Sequence, residues 1–413
     1  MTDMRRRVFI QSSLVSLGAG IICTPAWSQK INALSGSMEQ GSASEAFQPP
    51  MMAFPEKKPL WMHSDSPPLL ETPREAFANA VTPNDEFFVR WHHAVIPDTI
   101  DLKTYRLSVS GNVDTPLELS LAELKSRFES VELYAVKQCG GNSRSNFSPV
   151  TSGIQWHHGA MGCALWKGVR LRDVLAAAKI KPNSEFLKLN GLERPILPGT
   201  PPFMRKLDKD EFNREDVIIA YQMNGEDLPL LNGYPLVLIV PGYFADNWVK
   251  MLERIDVLDK DEPVFYTDKA YRLPANPFGS VAPGDPMPKD TRALKALNIK
   301  SVIATPSENA VIHRGDQVEM AGVAFDAGYG IKEVLVSIDH GKSWTSATLD
   351  KDLGPYAFRR WSYTFTPSKS GILTMMSRAI NRLGEIQPLP ANMEWNPSGY
   401  AWNAADHLTI NVL

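Results

Sequence analysis

The chain of 413 residues is short of cysteine, of net charge and of long apolar runs, and each shortage excludes a class of protein. Three cysteines are too few for a scaffold held together by disulfides. A net charge of −3 at pH 7, from 43 basic and 46 acidic side chains, excludes a generally basic protein that binds nucleic acid. Beyond the first residues, no stretch is long and apolar enough to predict a membrane-spanning helix.

Several motifs for cofactors and metals are also missing. No G-x-G-x-x-G follows a predicted strand, so the sequence does not support dinucleotide binding. Residues 341–343 lack the glycine that a phosphate-binding loop needs five residues earlier, because Val336 stands there. No C-x-x-C-H occurs, so no covalently attached haem is expected. The histidine pairs at 92–93 and 157–158 lack a zinc-type spacing, because neighbours on a strand face opposite ways.

The first 28 residues have the pattern of an export signal. Arg6 and Arg7 precede an apolar stretch at residues 14–23, which is shorter than the roughly 20 residues that span a bilayer. Small residues before and at Ser28 predict cleavage after that position. The segment resembles a twin-arginine signal, which implies a periplasmic protein exported in its folded state with a cofactor already inserted. An uncleaved basic anchor is the alternative.

Composition divides the remaining chain into a leader, two domains and a linker. Residues 29–50 are rich in Ser, Gly and Gln and predict a flexible leader. A first domain is expected at 51–285 and a second at 295–413, joined by the Pro- and Gly-rich stretch 274–290.

Local patterns predict an α+β fold. Ser120 and Glu123 form a capping-box pattern that predicts a short helix, and a second helix is expected at 171–178. Residues 217–220 and 236–240 predict buried strands. In the second domain, three runs alternate between apolar and polar residues: Val334, Val336 and Ile338; Trp361, Tyr363 and Phe365; Leu408, Ile410 and Val412. Short strands with turn signals, such as that at 340–341, predict an immunoglobulin-like β-sandwich.

The stretch from Gln138 to Arg144 carries the most informative chemistry. Cys139 stands between an apolar run and two glycines, which allow unusual backbone angles and the close approach of a bulky group. The nearby Arg144 is expected to depress the pKa of the thiol and to attract anions. Such a thiolate can be a nucleophile or a ligand for a soft or high-valent metal. A disulfide with Cys163 is the structural alternative.

Residues 139–144 resemble the C-[AS]-G-N-x-R loop of the sulfite oxidase family of molybdenum enzymes. Further segments resemble the family in the right order along the chain: 87–92, 155–156, 159–171, 220–225, 233–235, 240–242, 248–250 and 269–272. Residues 337–344 resemble part of its dimerisation domain. The resemblance covers nearly the whole mature chain, and it implies a mixed α/β molybdopterin domain followed by the β-sandwich.

The resemblance also implies roles for single residues. Cys139 would be the one protein ligand of molybdenum, beside the pterin dithiolene and oxygens. Arg90 and Arg144 would bind a small oxyanion, His92 would contact cofactor and substrate, and Tyr271 would hydrogen-bond near the metal. For Arg90 the alternative is a structural ion pair, and for Tyr271 a place in the core.

Further residues are implied as cofactor contacts or as a pocket wall. Trp166 would wall the substrate pocket, with ordinary core packing as the alternative, and Cys163 would be a buried small residue. The implied cofactor contacts are Phe88, Val89, Arg90, Trp91, His92, Cys139, Glu193, Asn232, Trp248, Val249 and Lys250.

Four positions depart from the pattern of many relatives. Asn232 and Val237 stand where relatives often have histidine and arginine, and the missing arginine removes an expected phosphate contact. Glu193 replaces an aspartate, and the segment around Ser398 lacks an arginine that some relatives carry.

The implied activity is oxidation of sulfite to sulfate by oxygen-atom transfer at one molybdenum–molybdopterin cofactor per chain. Electrons would pass singly to a separate c-type cytochrome, with no haem in this chain, and the second domain would form a homodimer. The nearest alternative is a sulfane dehydrogenase that acts on protein-bound sulfur. A methionine-sulfoxide reductase of the same superfamily and a cofactor-free binding module are the remaining alternatives.

Overall fold

Alternating and continuous apolar runs make the chain fold mainly as strands, as the computed structural model of residues 49–413 shows. The predicted signal peptide, its cleavage site and nearly all of the predicted leader lie outside these described residues. In the part that the structure describes, no helix is long and apolar enough to cross a membrane.

The first part of the described chain holds strands and four short helices. The strands are β1 (Met51–Met52), β2 (Leu60–Asp65), β3 (Pro68–Glu71), β4 (Val89–Arg90), β5 (Leu107–Gly111), β6 (Leu117–Leu119), β7 (Ser130–Gln138), β8 (Met161–Arg170), β9 (Phe186–Gly191), β10 (Met204–Asp208), β11 (Ile218–Met223), β12 (Glu226–Asp227), β13 (Val237–Ile239), β14 (Val249–Lys250), β15 (Leu252–Leu258), β16 (Arg272–Pro274) and β17 (Thr291–Ala293). The helices are α1 (Leu121–Arg127), α2 (Leu171–Ala177), α3 (Lys209–Phe212) and α4 (Phe265–Asp268).

Three sheets of four or more strands form this part. Their strand orders are β1-β2-β3-β4, β10-β9-β15-β5-β6 and β14-β13-β11-β8-β7, with β12 paired to β11 at the side of the third sheet. The pair β15 and β5 is parallel, and the other neighbours in these sheets are antiparallel. Strand β7 runs directly into Cys139, so the third sheet positions the cysteine loop.

The local predictions for this part are confirmed. Helix α1 begins with the Ser120–Glu123 capping box, in which each residue's side chain bonds the other's backbone N–H. Helix α2 covers 171–177, and buried strands occupy 218–223 and 237–239.

The second part of the described chain is a β-sandwich, as the alternating runs predict. Its strands are β18 (Lys300–Thr305), β19 (Val311–Ile312), β20 (Val318–Phe325), β21 (Ile331–Ser337), β22 (Thr345–Ser346), β23 (Thr348–Leu349), β24 (Arg359–Phe365), β25 (Gly371–Asn381) and β26 (Asp406–Val412). One sheet has the order β18-β20-β24-β23 and the other β19-β26-β25-β21-β22. Trp361, Met375 and Ile410 are fully buried between them.

The predicted linker is a loop between two paired strands. Pro274 at the end of β16 pairs with Thr291 at the start of β17, so both ends of the stretch lie together. Residues 275–290 have no helix or strand. The domain boundaries at 285 and 295 stay predictions.

Candidate active site

The cysteine loop turns tightly at the end of β7. The N–H of Cys139 donates to the Ala160 carbonyl at 2.9 Å, and the N–H of Gly140 donates to Oδ2 of Asp246 at 2.9 Å. A Cβ on Gly140 would lie 2.5 Å from Oδ2 of Asp246 and one on Gly141 2.6 Å from the guanidinium of Arg144, so a side chain at either position would force these groups to shift. The loop therefore places the thiol and the arginine side by side.

Burial controls the thiol of Cys139. It raises the pKa to about 11, helped by the charge of Asp246, and outweighs the opposing effect of Arg90 and Arg144. Arg144 therefore lowers this pKa, as expected, but burial outweighs its effect and the net pKa is raised. A bound metal cation would supply the missing positive charge, because metal ligation requires the thiolate.

Cys163 lies elsewhere in the core. It is fully buried in β8, and its Sγ accepts a hydrogen bond from the N–H of Phe358 at 3.4 Å. Both Cys139 and Cys163 are free thiols. The structure thus places Cys163 as the small buried residue that the resemblance implies.

Arg90, at the end of β4, is half-buried, and its Nη1 atom is fully buried. Among the described residues its Nη1 has no hydrogen-bond partner. Burial opposes its charge, but Tyr271, Cys139 and Asp246 together raise the pKa above its usual value. A charged guanidinium with a free donor near a thiol is suited to holding an anion. This arrangement does not match a structural ion pair.

His92 and Tyr271 form a second polar group beside Arg90. The Nε2 atom of His92 and the hydroxyl oxygen of Tyr271 lie 2.5 Å apart, and the imidazole stacks on Phe203 with ring centroids 3.7 Å apart. Burial, reinforced by the charge of Arg90, lowers the pKa of His92 well below its usual value. Burial also raises the pKa of Tyr271. Near neutral pH the pair is therefore a neutral imidazole and a protonated phenol, which share one hydrogen bond.

Glu193 fixes the backbone of this segment. Its Oε2 accepts the backbone N–H groups of His92 and His93, each at 3.0 Å. The glutamate that replaces the family's aspartate thus has a clear structural task.

Arg144 is held by backbone carbonyls from two segments. Its Nε donates to the Gly399 carbonyl at 3.2 Å, its Nη1 donates to the Ile154 carbonyl at 2.9 Å, and the guanidinium lies over Tyr400, 5.2 Å from the ring centroid. Carbonyl groups orient the guanidinium without neutralising its charge. The charge remains available to an anion at the cysteine loop.

The structure places two predicted tryptophans in the core. Trp166 is fully buried with its ring edge against Phe87 and Trp248, and its indole N–H donates to the Ala135 carbonyl at 3.1 Å. Trp248 is buried as well, and its N–H donates to a backbone carbonyl. Core packing accounts for Trp166, so the structure favours that alternative over a pocket wall.

Three buried lysines lie close to one another behind the predicted cofactor segment. Burial lowers the pKa of Lys57 to about 7 and of Lys250 to about 8, and it lowers that of Lys137 much further. The ammonium groups of Lys57 and Lys250 depress the pKa of Lys137 as well. Within residues 49–413 none of the three forms an ion pair with a carboxylate. Burying unpaired positive charges is costly, so this lysine cluster fits an anionic group.

The neighbours of the lysine cluster come from the predicted cofactor segment. Lys57 Nζ donates to Oδ1 of Asn232 at 2.6 Å, and Nδ2 of Asn232 donates to the Phe88 carbonyl at 3.1 Å. Lys250 Nζ lies 4.2 Å from the centroid of Trp91. Phe88, Val89, Trp91 and Val249 are buried around these groups. Asn232 therefore ties Lys57 to the segment that also bears Arg90.

Sequence reasoning missed several of these groups. Lys137 could have been identified from the sequence, because it is a charged residue within a buried strand, two residues before Cys139. Lys57, Asp246 and Tyr400 come from distant segments and had none. The donor set as a whole fits the implied molybdopterin group: a thiol for the metal, unpaired lysines for an anionic pterin, and two arginines for an oxyanion.

Comparisons with known proteins match most of the described chain to two family profiles. The family profile described as "Oxidoreductase molybdopterin binding domain" matches residues 93–266, and "Mo-co oxidoreductase dimerisation domain" matches residues 291–412. Sulfite oxidase of Gallus gallus is 31% identical over 385 residues, covering 89% of this chain and 82% of that protein. Mitochondrial sulfite oxidase of Mus musculus is 29% identical, covering 92% and 70% of the two chains.

A solved structure has a similar fold. The sulfane dehydrogenase SoxCD from Paracoccus pantotrophus superposes with a TM-score of 0.73 at 25% identity, covering 91% of this chain and 96% of that chain. The likeness therefore extends over both parts of the described structure.

Proposed function

The chain belongs to the sulfite oxidase family of molybdopterin oxidoreductases, and on that premise we propose that it is a periplasmic sulfite dehydrogenase. It is a molybdenum-dependent oxidoreductase. The observation that carries the proposed substrate is Arg90, a half-buried, charged guanidinium close to Cys139 whose buried Nη1 has no hydrogen-bond partner among the described residues. Sulfite is a small oxyanion, which such a group binds through charge-assisted hydrogen bonds.

Different residues are proposed to hold different parts of the cofactor. When bound, the molybdenum–molybdopterin group supplies oxygen-atom transfer and storage of two electrons. Cys139 would hold the metal through its sulfur, and Lys57, Lys137 and Lys250 would neutralise the anionic pterin end. Asn232 accepts from Lys57 Nζ and donates to the Phe88 carbonyl, so it holds Lys57 beside the segment that bears Arg90.

Arg90 and Arg144 would bind the oxyanion beside Cys139, the residue that would hold the metal. The side chain of Arg144 and the Nη1 atom of Arg90 are buried, so their attraction to a negative charge is screened less than at a surface. They also stabilise negative charge that builds up in the transition state. Tyr271, hydrogen-bonded to the neutral His92, holds a proton next to the site and can donate it or take it back.

Location and partners are further parts of the proposal. The twin-arginine pattern at Arg6 and Arg7 supports export in the folded state. A separate c-type cytochrome is the proposed electron acceptor. The match of residues 291–412 to a dimerisation domain supports a homodimer.

A sulfane dehydrogenase acting on bound sulfur is the second candidate. The structural likeness to the sulfane dehydrogenase SoxCD favours it. The two candidates differ in the size of the substrate, because a protein-bound sulfur needs a wider entrance than free sulfite.

Sulfite-dependent reduction of ferricyanide tests the proposal. The protein is purified from a host that makes the cofactor, and its molybdenum content is measured first. Turnover with sulfite, absent from the Cys139→Ser variant, is the expected result. Molybdenum-loaded protein that does not oxidise sulfite would overturn the free-sulfite proposal, and reaction with a persulfide-bearing protein would then identify the second candidate. Replacing ferricyanide by cytochrome c checks the acceptor.

A further inference from the structure

Two histidines and a glutamate converge on one point away from the cysteine loop. His63 Nε2 lies 2.7 Å from Oε2 of Glu71, and His157 Nδ1 lies 3.5 Å from the same oxygen. All three atoms lie within 4.8 Å of one another. We propose that His63, Glu71 and His157 bind a divalent transition-metal ion of the Zn²⁺ type, at a site separate from molybdenum.

Irregular backbone directs the first two side chains to this point. The pairing of β2 with β3 shifts between Met62 and Ser64, which leaves His63 as the bulged residue. A β-bulge re-aims a side chain, and here it turns His63 toward Glu71 at the end of the neighbouring strand. The hairpin therefore supplies one nitrogen and one carboxylate.

The third side chain comes from the segment before β8. Glu71 accepts the N–H of His157 on Oε2 at 3.1 Å and the N–H of Gly159 on Oε1 at 2.8 Å. A Cβ on Gly159 would collide with Thr72 and Glu71, so only glycine lets this segment pack so closely. The carboxylate is thus fixed in place before any ion binds.

The chemistry of the three ligands suits zinc. Two imidazoles and one carboxylate are a common set of three protein ligands, with water at the fourth position. Zinc bonds of about 2.0–2.1 Å place tetrahedral ligand atoms roughly 3.3 Å apart, close to the His157–Glu71 separation of 3.5 Å, whereas the His63–Glu71 hydrogen bond of 2.7 Å must lengthen when the ion binds.

A simple ion pair between His63 and Glu71 explains fewer of these contacts. That pair needs no second imidazole, yet His157 presents Nδ1 to the same oxygen. The site also has access to solvent. The side chain of His157 is 37% exposed, against 10% for His63 and 2% for Glu71, and both His157 and Glu71 line a cavity of about 310 Å³. An ion and its water can enter from this side.

A metal here would fasten the hairpin to the back of the cysteine loop. The N–H of Ser143 donates to the His157 carbonyl at 2.5 Å, and the N–H of Ser145 donates to the Trp156 carbonyl at 3.2 Å. Binding only to the folded state stabilises it by mass action. Zinc is therefore expected to raise the melting temperature of the protein.

The test uses the molybdenum-loaded full chain after treatment with a chelator. Zn²⁺ is titrated by calorimetry, and bound zinc is counted by elemental analysis after dialysis. The expected result is one zinc per chain, bound at least about tenfold more weakly by His157→Gln and by His63→Gln. His313→Gln, which removes an exposed histidine far from the site in sequence, is the matched control and is expected to bind like the wild type.

Two further readouts separate a bound ion from a surface histidine effect. Zinc is expected to raise the melting temperature of the wild type and of His313→Gln, and to leave that of His157→Gln unchanged. Co²⁺ in the same site is expected to give the visible absorption of a tetrahedral ion. The proposal is overturned if the wild type retains no stoichiometric zinc, or if His157→Gln and His63→Gln retain it as tightly as the wild type. Two variants are used so that the test remains valid if one of them fails to fold.

Discussion

The surroundings of Cys139 and the interior of the sandwich differ in the kind of side chain that they bury. Near Cys139 the fold buries Lys137, which forms no ion pair within residues 49–413, and the Nη1 atom of Arg90, which has no hydrogen-bond partner there. In the sandwich the core is apolar, and the buried hydroxyls of Ser301 and Ser377 hydrogen-bond to each other at 3.0 Å. Unpaired buried charge is costly, so a fold keeps it where a bound group repays the cost. The contrast separates residues placed for a ligand from residues placed for packing.

Among the variants that test this comparison, Cys139→Ser is expected to have the largest effect on activity. A hydroxyl is a much poorer ligand than a thiolate for a soft or high-valent metal, so sulfite oxidation is expected to fall to background while the fold persists. Cys163→Ser is the matched control, because Cys163 is equally buried but lies in the core. Ferricyanide reduction and circular dichroism are the measurements. Loss of activity in both variants alike would contradict the assignment.

Arg144→Gln is expected to have the next largest effect. Removing a charge-assisted hydrogen bond to sulfite should raise KM about 10- to 100-fold, with a smaller change in kcat. Arg144→Lys keeps the charge and should recover part of the loss. An unchanged KM for sulfite in Arg144→Gln would rule out the anion-binding role, and a loss of kcat alone would indicate that the arginine only orders the loop.

Lys137→Met tests whether the lysine cluster serves an anion. Removing one ammonium should weaken retention of the pterin about tenfold, measured as molybdenum content after extended dialysis. Lys206→Met is the matched control, because Lys206 is also buried but its ammonium is already paired with the carboxylates of Asp261 and Asp268. Equal cofactor loss in the two variants would remove the special role of the cluster.

The pH dependence of stability in cofactor-free protein also tests whether the lysine cluster is costly to bury without an anion. Burial lowers the pKa of Lys57 from 10.5 to about 7, so between these values the unfolded chain binds more protons than the folded one. Stability therefore rises with pH in that window, by up to about 1.4 kcal/mol per pH unit for each such lysine. Denaturant unfolding at about pH 7.5 and 9 should show the rise, and Lys137→Met should show less of it. A bound anion should flatten the slope.

The smallest effect is expected in the sandwich. Ile410→Val removes one methyl group from the fully buried core and should cost about 0.5–1.5 kcal/mol of stability. Molybdenum content and KM for sulfite should not change. A change in KM would show that packing in the sandwich controls the site at a distance.

The parts of the structure that the sequence predicts are those that depend on the pattern of residues close together in the chain. Alternation at Trp361, Tyr363 and Phe365 predicts β24, and the capping box at Ser120 predicts the start of α1. Both depend on neighbours in sequence, so no tertiary information is needed. The cysteine loop was found in the same way, from one short motif.

The rest of the site depends on long-range packing. Lys57 meets Asn232 only because three sheets bring their segments together, and no spacing in the sequence encodes that contact. Arg144 was expected to depress the thiol pKa, but the depth of burial, which the sequence does not show, decides the direction. Trp166 was ambiguous because a pocket wall and a core require the same kind of side chain.

Two hydrogen bonds determine when the cysteine loop can reach its final shape during synthesis of the chain. The N–H of Ala401 donates to the Gly140 carbonyl at 2.8 Å, and the Gly399 carbonyl holds Arg144, so the cysteine loop is closed by residues near the end of the chain. These residues are synthesised long after the loop that they close. The catalytic pocket therefore takes its final shape only once residues 399–401 have been made, and a cofactor that needs the finished pocket must enter after that point. A late frameshift would spare every cofactor contact named above and still leave the pocket open.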